Sequence, residues 1–286
     1  MLDPRWNTFL ILCETMNYTR AAERLCLTQP AVTHHIRYLE EHYGCRLFVY
    51  EGKVLRLTEQ GLRLRELARS LAYNSQKVEE AMAVDVPMSL RVGASKTIGE
   101  YVIAPKLEKF LRAHPEATFS LMVDNTSVLL QELEGGRLDF ALVEGFFQRD
   151  RYESTLYRKE EFFGVCPPGH RLAGRVVPVE ELAGERLIVR ESGSGTRAIF
   201  EEALHRQNYA LYGFPNVVTI SDFSTIKSLV ADGLGVSFLY APVVEKELEQ
   251  GTLARFDLEG IPMGGAFYFV CLKDNLFSSA WADWIQ

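Results

Sequence analysis

Four short segments in the later part of the 286-residue chain set hydrogen-bonding side chains among small residues, a combination suited to holding a small ligand. Gly93–Gly99 offers Ser95, Lys96 and Thr97, two hydroxyls and an ammonium. Asp124–Ser127 offers Thr126 beside an amide and a second hydroxyl, and Val143–Gly145 brings the carboxylate of Glu144. The fourth, Glu191–Arg197, reads Glu-Ser-Gly-Ser-Gly-Thr-Arg and carries Ser192, Gly193, Ser194 and Thr196. Each follows an apolar run, and most open a helical pattern, where unpaired amides and the helix dipole favour negative charge. Helix capping alone accounts for Thr126 or Ser127. The two glycines of the fourth segment exceed what a cap needs, because they let backbone amides approach a bound group, although no Walker lysine follows them. The ligand this chemistry fits is a small anion or anionic metabolite.

The elements that must position these segments follow from hydrophobic patterning. Short apolar runs predict strands near Leu90–Ala94, Phe119–Val123, Phe140–Val143, Phe162–Val165, Leu187–Val189, Val217–Ile220, Val236–Leu239 and Phe267–Leu272. Helical stretches lie between most of them, near Ile98–Arg112, Val128–Leu133, Thr196–Gln207, Thr225–Ala231, Pro242–Glu249 and Leu276–Trp284. Such alternation predicts an α/β unit with a mostly parallel sheet, whose ligands bind where strand ends meet helix starts.

A second chemistry sits near the N-terminus. Asn17–Tyr43 reads as two short helices with a tight break at Cys26–Leu27, Thr19 capping the first and Thr28 the second, with Pro30 in its first turn. Val32, Ile36, Leu39 and Tyr43 form one inward stripe, which leaves Pro30, His34, Arg37, Tyr38 and Glu41 outward with Thr33 at their flank. Bonding groups early on an exposed helix face suit the DNA major groove. A hairpin follows, Leu47–Tyr50 against Lys53–Thr58 with Glu51-Gly52 between, and Lys53 and Arg56 on it are placed to meet phosphate. From Thr58 to about Met82 one helix carries Leu64, Leu67, Leu71, Asn74, Val78 and Ala81 at alternating spacings of three and four, a seam for a partner helix.

The formal charge of −7 conceals an asymmetry, since residues 1–84 sum to +1 and the rest to −8. A mildly basic reader on an acidic body is compatible with DNA binding.

Thr28-Gln29-Pro30-Ala31-Val32-Thr33, Leu39-Glu40-Glu41, Gly44, Leu47-Phe48 and Leu57-Thr58-Glu59-Gln60-Gly61 resemble the signature of LysR-type transcriptional regulators. The resemblance implies a winged helix-turn-helix, a linker helix that pairs subunits, and an effector domain folded like periplasmic binding proteins, with two lobes. Expected boundaries are 1–60 for the DNA-binding domain, 61–84 for the linker helix and 88–286 for the effector domain, lobe 1 covering about 88–165 plus 265–286 and lobe 2 about 166–264. The lobes would exchange chain near Cys166–Pro168 and Gly260–Gly264. The expected DNA-contacting residues are Thr28, Gln29, Pro30, Thr33, His34, Arg37, Lys53 and Arg56, and those expected in dimerisation are Leu64, Leu67, Leu71 and Val78. Ser95, Lys96, Thr97, Thr126, Ser192, Ser194 and Thr196 fall on its effector-contacting loops, with Gly193 and Glu144 beside them. Partners implied are double-stranded operator DNA, a small effector, and the chain itself as a homodimer or a dimer of dimers. Thr33-His34-His35 and Tyr50 depart from the usual pattern, so operator preference does not transfer. The Glu-Ser-Gly-Ser-Gly-Thr-Arg form is similar to regulators of inorganic sulfur or one-carbon assimilation, whose effectors are small anions or anionic metabolites.

Other classes find less support. The five cysteines are scattered without a C-x-x-C pair and the six histidines lack metal-binding spacing, so neither metal nor cofactor is expected. An enzyme or a free-standing small-molecule-binding protein using the same cleft is the alternative. Cys166 and His170 are the nearest thing to a catalytic pair, but Pro167-Pro168-Gly169 separates them. No run suits a membrane helix or a signal peptide, and cytoplasmic residence is expected. The chain stops at Gln286 within a helical pattern, so a few further residues are expected.

Overall fold

The structure, a computed structural model, describes residues 3–82, 88–260, 264–276 and 284. It divides into two compact units. The first comprises Met1–Val86, Glu134–Gly136 and Leu272–Trp281, and the second Pro87–Leu133, Arg137–Cys271 and Ala282–Gln286.

In the first unit Asp3 caps helix α1 (Pro4–Thr15), which ends in left-handed backbone at Met16. Asn17, rather than Thr19, caps α2 (Tyr18–Leu25), its side-chain oxygen accepting the amides of Thr19 and Arg20 at 2.9 and 3.0 Å. The chain leaves the left-handed turn at Met16 already extended at Asn17, the backbone conformation of a cap, while Thr19 lies inside the helix. A left-handed Cys26 makes the break, and Thr28 caps α3 (Gln29–Tyr43). Val32, Ile36 and Leu39 of α3 pack with Phe9, Leu12 and Ala21 into one core. Tyr43 does not continue that stripe: it lies at the last turn, 41% exposed, edge-on to Trp6.

Strands β1 (Phe48–Glu51) and β2 (Val54–Leu57) pair antiparallel around Gly52 and Lys53, with Gly52 at φ +65° as the tight turn requires. Helix α4 (Glu59–Met82) begins where Thr58 accepts the Gly61 amide at 2.9 Å. A Cβ at Gly61 would lie 2.1 Å from the Leu47 carbonyl oxygen, so only glycine lets this helix seat against the wing. Two positions of the expected seam are used within the unit. Leu64 packs on the helix-turn-helix core, and Asn74 is buried, donating to the Asp274 carbonyl at 2.8 Å and accepting the Leu276 amide at 3.1 Å. Leu67, Leu71 and Val78 stay 49%, 47% and 47% exposed.

The second unit runs β3 (Ser89–Ser95), α5 (Lys96–Tyr101), α6 (Ala104–Ala113), β4 (Thr118–Asp124), α7 (Thr126–Glu134), β5 (Phe140–Glu144), β6 (Tyr152–Cys166), β7 (Val176–Val177), β8 (Leu187–Val189), α8 (Gly195–Arg206), β9 (Val217–Thr219), α9 (Phe223–Ala231), β10 (Ser237–Tyr240), α10 (Ala241–Glu249), β11 (Ala254–Leu258) and β12 (Gly264–Leu272). Its main sheet has the order β4-β3-β5-β12-β6-β11-β7, with β10 also on β6, while β8 and β9 pair separately. Strand β3 is parallel to β4 and β5, but β12 runs antiparallel to β5, and β6 antiparallel to β10 and β11. The sheet is therefore mixed rather than mostly parallel, because its two longest strands, β6 and β12, run against their neighbours.

Strand β6 is 15 residues long, far beyond the predicted Phe162–Val165. Six of its first ten residues are exposed and five are charged, so they leave no apolar run to read. Its last residues, Phe162–Cys166, pair with β10 and β11. The expected crossing at Gly260–Gly264 includes 261–263, and the expected boundary at Asp85–Pro87 and nearly all of the helix over Leu276–Trp284 likewise lie outside the described residues. The single helix predicted over Ile98–Arg112 is two, broken at Val102–Ile103, since Pro105 lacks the amide that a continuous helix would use.

Candidate functional site

The face that could read DNA is built on α3. Gln29, Pro30, His34, Arg37, Tyr38 and Glu41 are exposed on it, while His35 turns inward to Thr8, whose hydroxyl lies 2.9 Å from Nδ1. Thr28 is occupied as the cap; the Thr33 hydroxyl donates to the Gln29 carbonyl at 3.1 Å and accepts the Gln29 side-chain amide at 3.2 Å. These bonds fix the first turn of the helix. Glu40 fixes the wing, accepting from Arg46 at 2.8 Å and from the Leu47 amide at 2.8 Å. Lys53 is exposed at the tip of the wing, and Arg56 reaches across the hairpin to Glu51 at 2.7 Å. Sequence reading missed Arg5, whose guanidinium lies over the Tyr38 ring at 3.6 Å while pairing with Asp3 at 3.1 Å. A lone arginine in the first turn of a separate helix gives no signal of that in the sequence.

In the second unit the four ligand-candidate segments do meet, and they meet at Glu144. This residue ends β5 and is 1% exposed. Its Oε1 accepts from the hydroxyl of Thr97 at 2.9 Å and from that of Thr196 at 2.9 Å, and its backbone carbonyl accepts from Thr126 at 2.9 Å. Burial pushes its pKa up to about 7, against the opposing pull of the two threonine hydroxyls and the charge of Arg190.

The glycines of the fourth segment bring α8 onto β5. A Cβ on Gly195 would lie 2.3 Å from Glu144 Cγ, and one on Gly145 would lie 2.7 Å from Gly195 Cα. Ser194 is buried at the start of α8, Ser192 and Gly193 are exposed, and the Gly193 carbonyl accepts the Ser127 amide at 3.4 Å.

Lys96 spans the same seam. Its Nζ donates to the Ser221 carbonyl at 2.9 Å and stands 4.0 Å from Glu191. The donors offered by these segments are largely paired within the fold: the hydroxyls of Thr97 and Thr196 are spent on Glu144, and the ammonium of Lys96 on backbone and carboxylate. Buried polar atoms without a partner do remain at Ser95 Oγ, Glu144 Oε2, Arg190 Nη1 and Tyr240 Oη. Arg190 is almost fully buried, holds Glu191 through two bonds of 2.8 and 3.0 Å and lies 4.2 Å above the Phe223 ring. Its place directly after the apolar run Leu187–Val189, at a strand end, was the available signal.

Cys166 and His170 do not act together. The thiol donates to the Ala254 carbonyl at 3.6 Å, and His170 faces Glu185 at 3.3 Å. Burial raises the Cys166 thiol to about 11, which makes it a poor nucleophile.

Residues 5–62 match the family model of the bacterial regulatory helix-turn-helix protein, lysR family, and residues 86–286 match that of the LysR substrate binding domain. The chain belongs to the LysR family of transcriptional regulators. It is thus a DNA-binding regulator with an effector-binding domain, not an enzyme. The RuBisCO operon transcriptional regulator of Allochromatium vinosum is 30% identical over 269 residues, covering 92% of this chain and 87% of that one. Among solved structures, a full-length OxyR from Pseudomonas aeruginosa superposes with a TM-score of 0.63 at 22% identity, covering 100% of this chain and 93% of that one. The regulatory domain of Synechocystis CcmR, in complex with 2-PG, gives a TM-score of 0.60 at 22% identity over 69% of this chain and 95% of that one. In this LysR-type regulator no described helix is long and apolar enough to cross a membrane, and no metal-holding group occurs among the described residues.

Proposed function

We propose that this LysR-type regulator binds operator DNA as a dimer, in the cytoplasm, with α3 in the major groove, the wing on the backbone, and a small anion between the lobes of its second unit as the controlling effector. The observation that carries the DNA-reading part is the outward face of α3, where His34 and Arg37 stand exposed on a helix whose first turn is locked by its cap. Dimerisation through α4 is supported by Leu67, Leu71 and Val78, an apolar row left uncovered on one helix face. A pair of dimers would extend the same arrangement. For the anion, support comes from Arg190, Lys96 and the helix start at Ser194, which put positive potential around buried donors. CcmR, of the same fold, was solved with the small ligand 2-PG.

Binding to operator fragments at several salt concentrations tests the assignment of roles. Arg37→Ala is expected to lower affinity by about 1–3 kcal/mol and relax preference at one base position, as loss of a groove contact does. Lys53→Ala, on the wing, is expected to weaken all sequences alike and reduce the salt slope by about one. Equal, sequence-independent losses from both would remove the distinction between reader and wing.

A further inference from the structure

A buried carboxylate at the centre of an anion site is an electrostatic contradiction, and its surroundings resolve it. Glu144 is bonded at once to α5, through Thr97, and to α8, through Thr196, whose hydroxyls lie 3.4 Å apart; in the two-lobed reading these helices belong to different lobes. Both hydroxyls donate to Oε1. Oε2 is buried and forms no hydrogen bond, with only the unpaired Ser95 hydroxyl and the charge of Arg190 to favour an ion there, so a negative charge is poorly solvated, whereas a proton on Oε2 leaves Oε1 accepting from both threonines. Around it β3 contributes Ser95, α7 contributes Thr126, and β12 pairs Phe267 with it. The charged or titratable neighbours are Arg190 after β8 and Tyr240 on β10. Lys96, at the start of α5, stands 4.0 Å from Glu191 and donates to the Ser221 carbonyl. Gly195 and Gly145 press the two lobes together at this point, so opening the seam would admit water to the carboxyl.

We propose that Glu144 is a proton-operated pin between the lobes: with a proton taken from solvent onto Oε2 the carboxyl holds Thr97 and Thr196 in a closed seam, and without it the seam loosens. This deepens the anion-effector reading and rests on it in one respect. An anion bound beside Glu144 raises its hold on the proton, so effector binding and proton uptake occur together.

The sign follows from linkage. In an open, hydrated seam the carboxyl has its ordinary pKa near 4.5, and in the closed seam it titrates near 7. Closure is therefore favoured up to about tenfold per pH unit as pH falls through that window, and is insensitive to pH above it until an anion extends the window upward.

The test uses the full chain, inorganic sulfate as the probe because it carries no titrating proton near neutrality, and Glu144→Gln, which keeps the acceptor for both threonines and cannot ionise. Calorimetry in buffers of differing ionisation enthalpy is expected to show wild-type affinity rising up to about tenfold per unit as pH falls from about 8 to 6, with proton uptake on binding. Glu144→Gln should bind without proton uptake and without that slope. Sulfate binding that is flat with pH in the wild type, or a slope kept by Glu144→Gln, overturns the pin while leaving the anion reading intact. If neither protein binds sulfate at any pH, the anion reading loses its support and the pin is decided without ligand, by spin labels on Glu116→Cys in the first lobe and Tyr212→Cys in the second. A separation that shortens as pH falls in the wild type and is short throughout in Glu144→Gln supports the pin, and a separation indifferent to pH in the wild type overturns it.

Discussion

Replacing Leu67 and Leu71 together with aspartate is expected to yield a monomer that has lost most of its operator affinity. Both side chains are half exposed on one face of α4, where neither has any role in the core that Leu64 joins, so their loss leaves the helix-turn-helix intact. In the proposed dimer they lie in the apolar seam, and the double change would bury two unpaired carboxylates per chain, which no hydrogen bond offsets. Linking two readers makes the second contact intramolecular and multiplies affinity by about 10²–10⁴, so a monomer forfeits that factor on a two-site operator. Sedimentation should give half the wild-type mass with unchanged circular dichroism, and titration of operator DNA should show the loss. Unchanged mass together with unchanged affinity would mean that this face of α4 is not the dimer contact.

The second large effect concerns stability and pH. Glu144 titrates near 7 in the fold and near 4.5 when the chain is unfolded, so the folded state binds the extra proton between those values. Wild-type stability therefore falls as pH rises from about 4.5 to 7 and levels off above, the ionised form costing roughly 3 kcal/mol at about 1.4 kcal/mol per unit. Glu144→Gln carries no such loss. It should match the wild type near pH 5 and unfold at a higher urea midpoint near pH 8, the gap being at most about 3 kcal/mol. A gap of the same size at both pH values would show that the carboxyl does not titrate in that window.

How much of this could be read from the sequence depends on how local each cause is. Thr28, Pro30 and the stripe Val32, Ile36, Leu39 are fixed by capping and helical period, and the structure keeps all of them. Asn17 was missed because two adequate caps stand two residues apart and only the left-handed turn before them chooses. The four ligand-candidate segments do converge at a strand end, through hydrogen bonds from Thr97, Thr126 and Thr196 to Glu144. What the pattern could not convey is which partner each donor takes. A carboxylate among hydroxyls reads as one more polar group, yet in space it consumes the donors that would otherwise await an anion. Strand β6 is longer than its apolar run for a different reason, since its first ten residues show no alternation of buried and exposed positions and so no period to detect.

The role of α3, the wing and α4 together is tested most directly by footprinting the full chain on genomic fragments that it selects itself, at one fixed salt concentration. Protection of two half-sites whose centres lie about one helical turn, 10 base pairs, or a multiple of that apart is the expected result. Fragments retained without any preferred sequence, or protection of a single unpaired site, would contradict it.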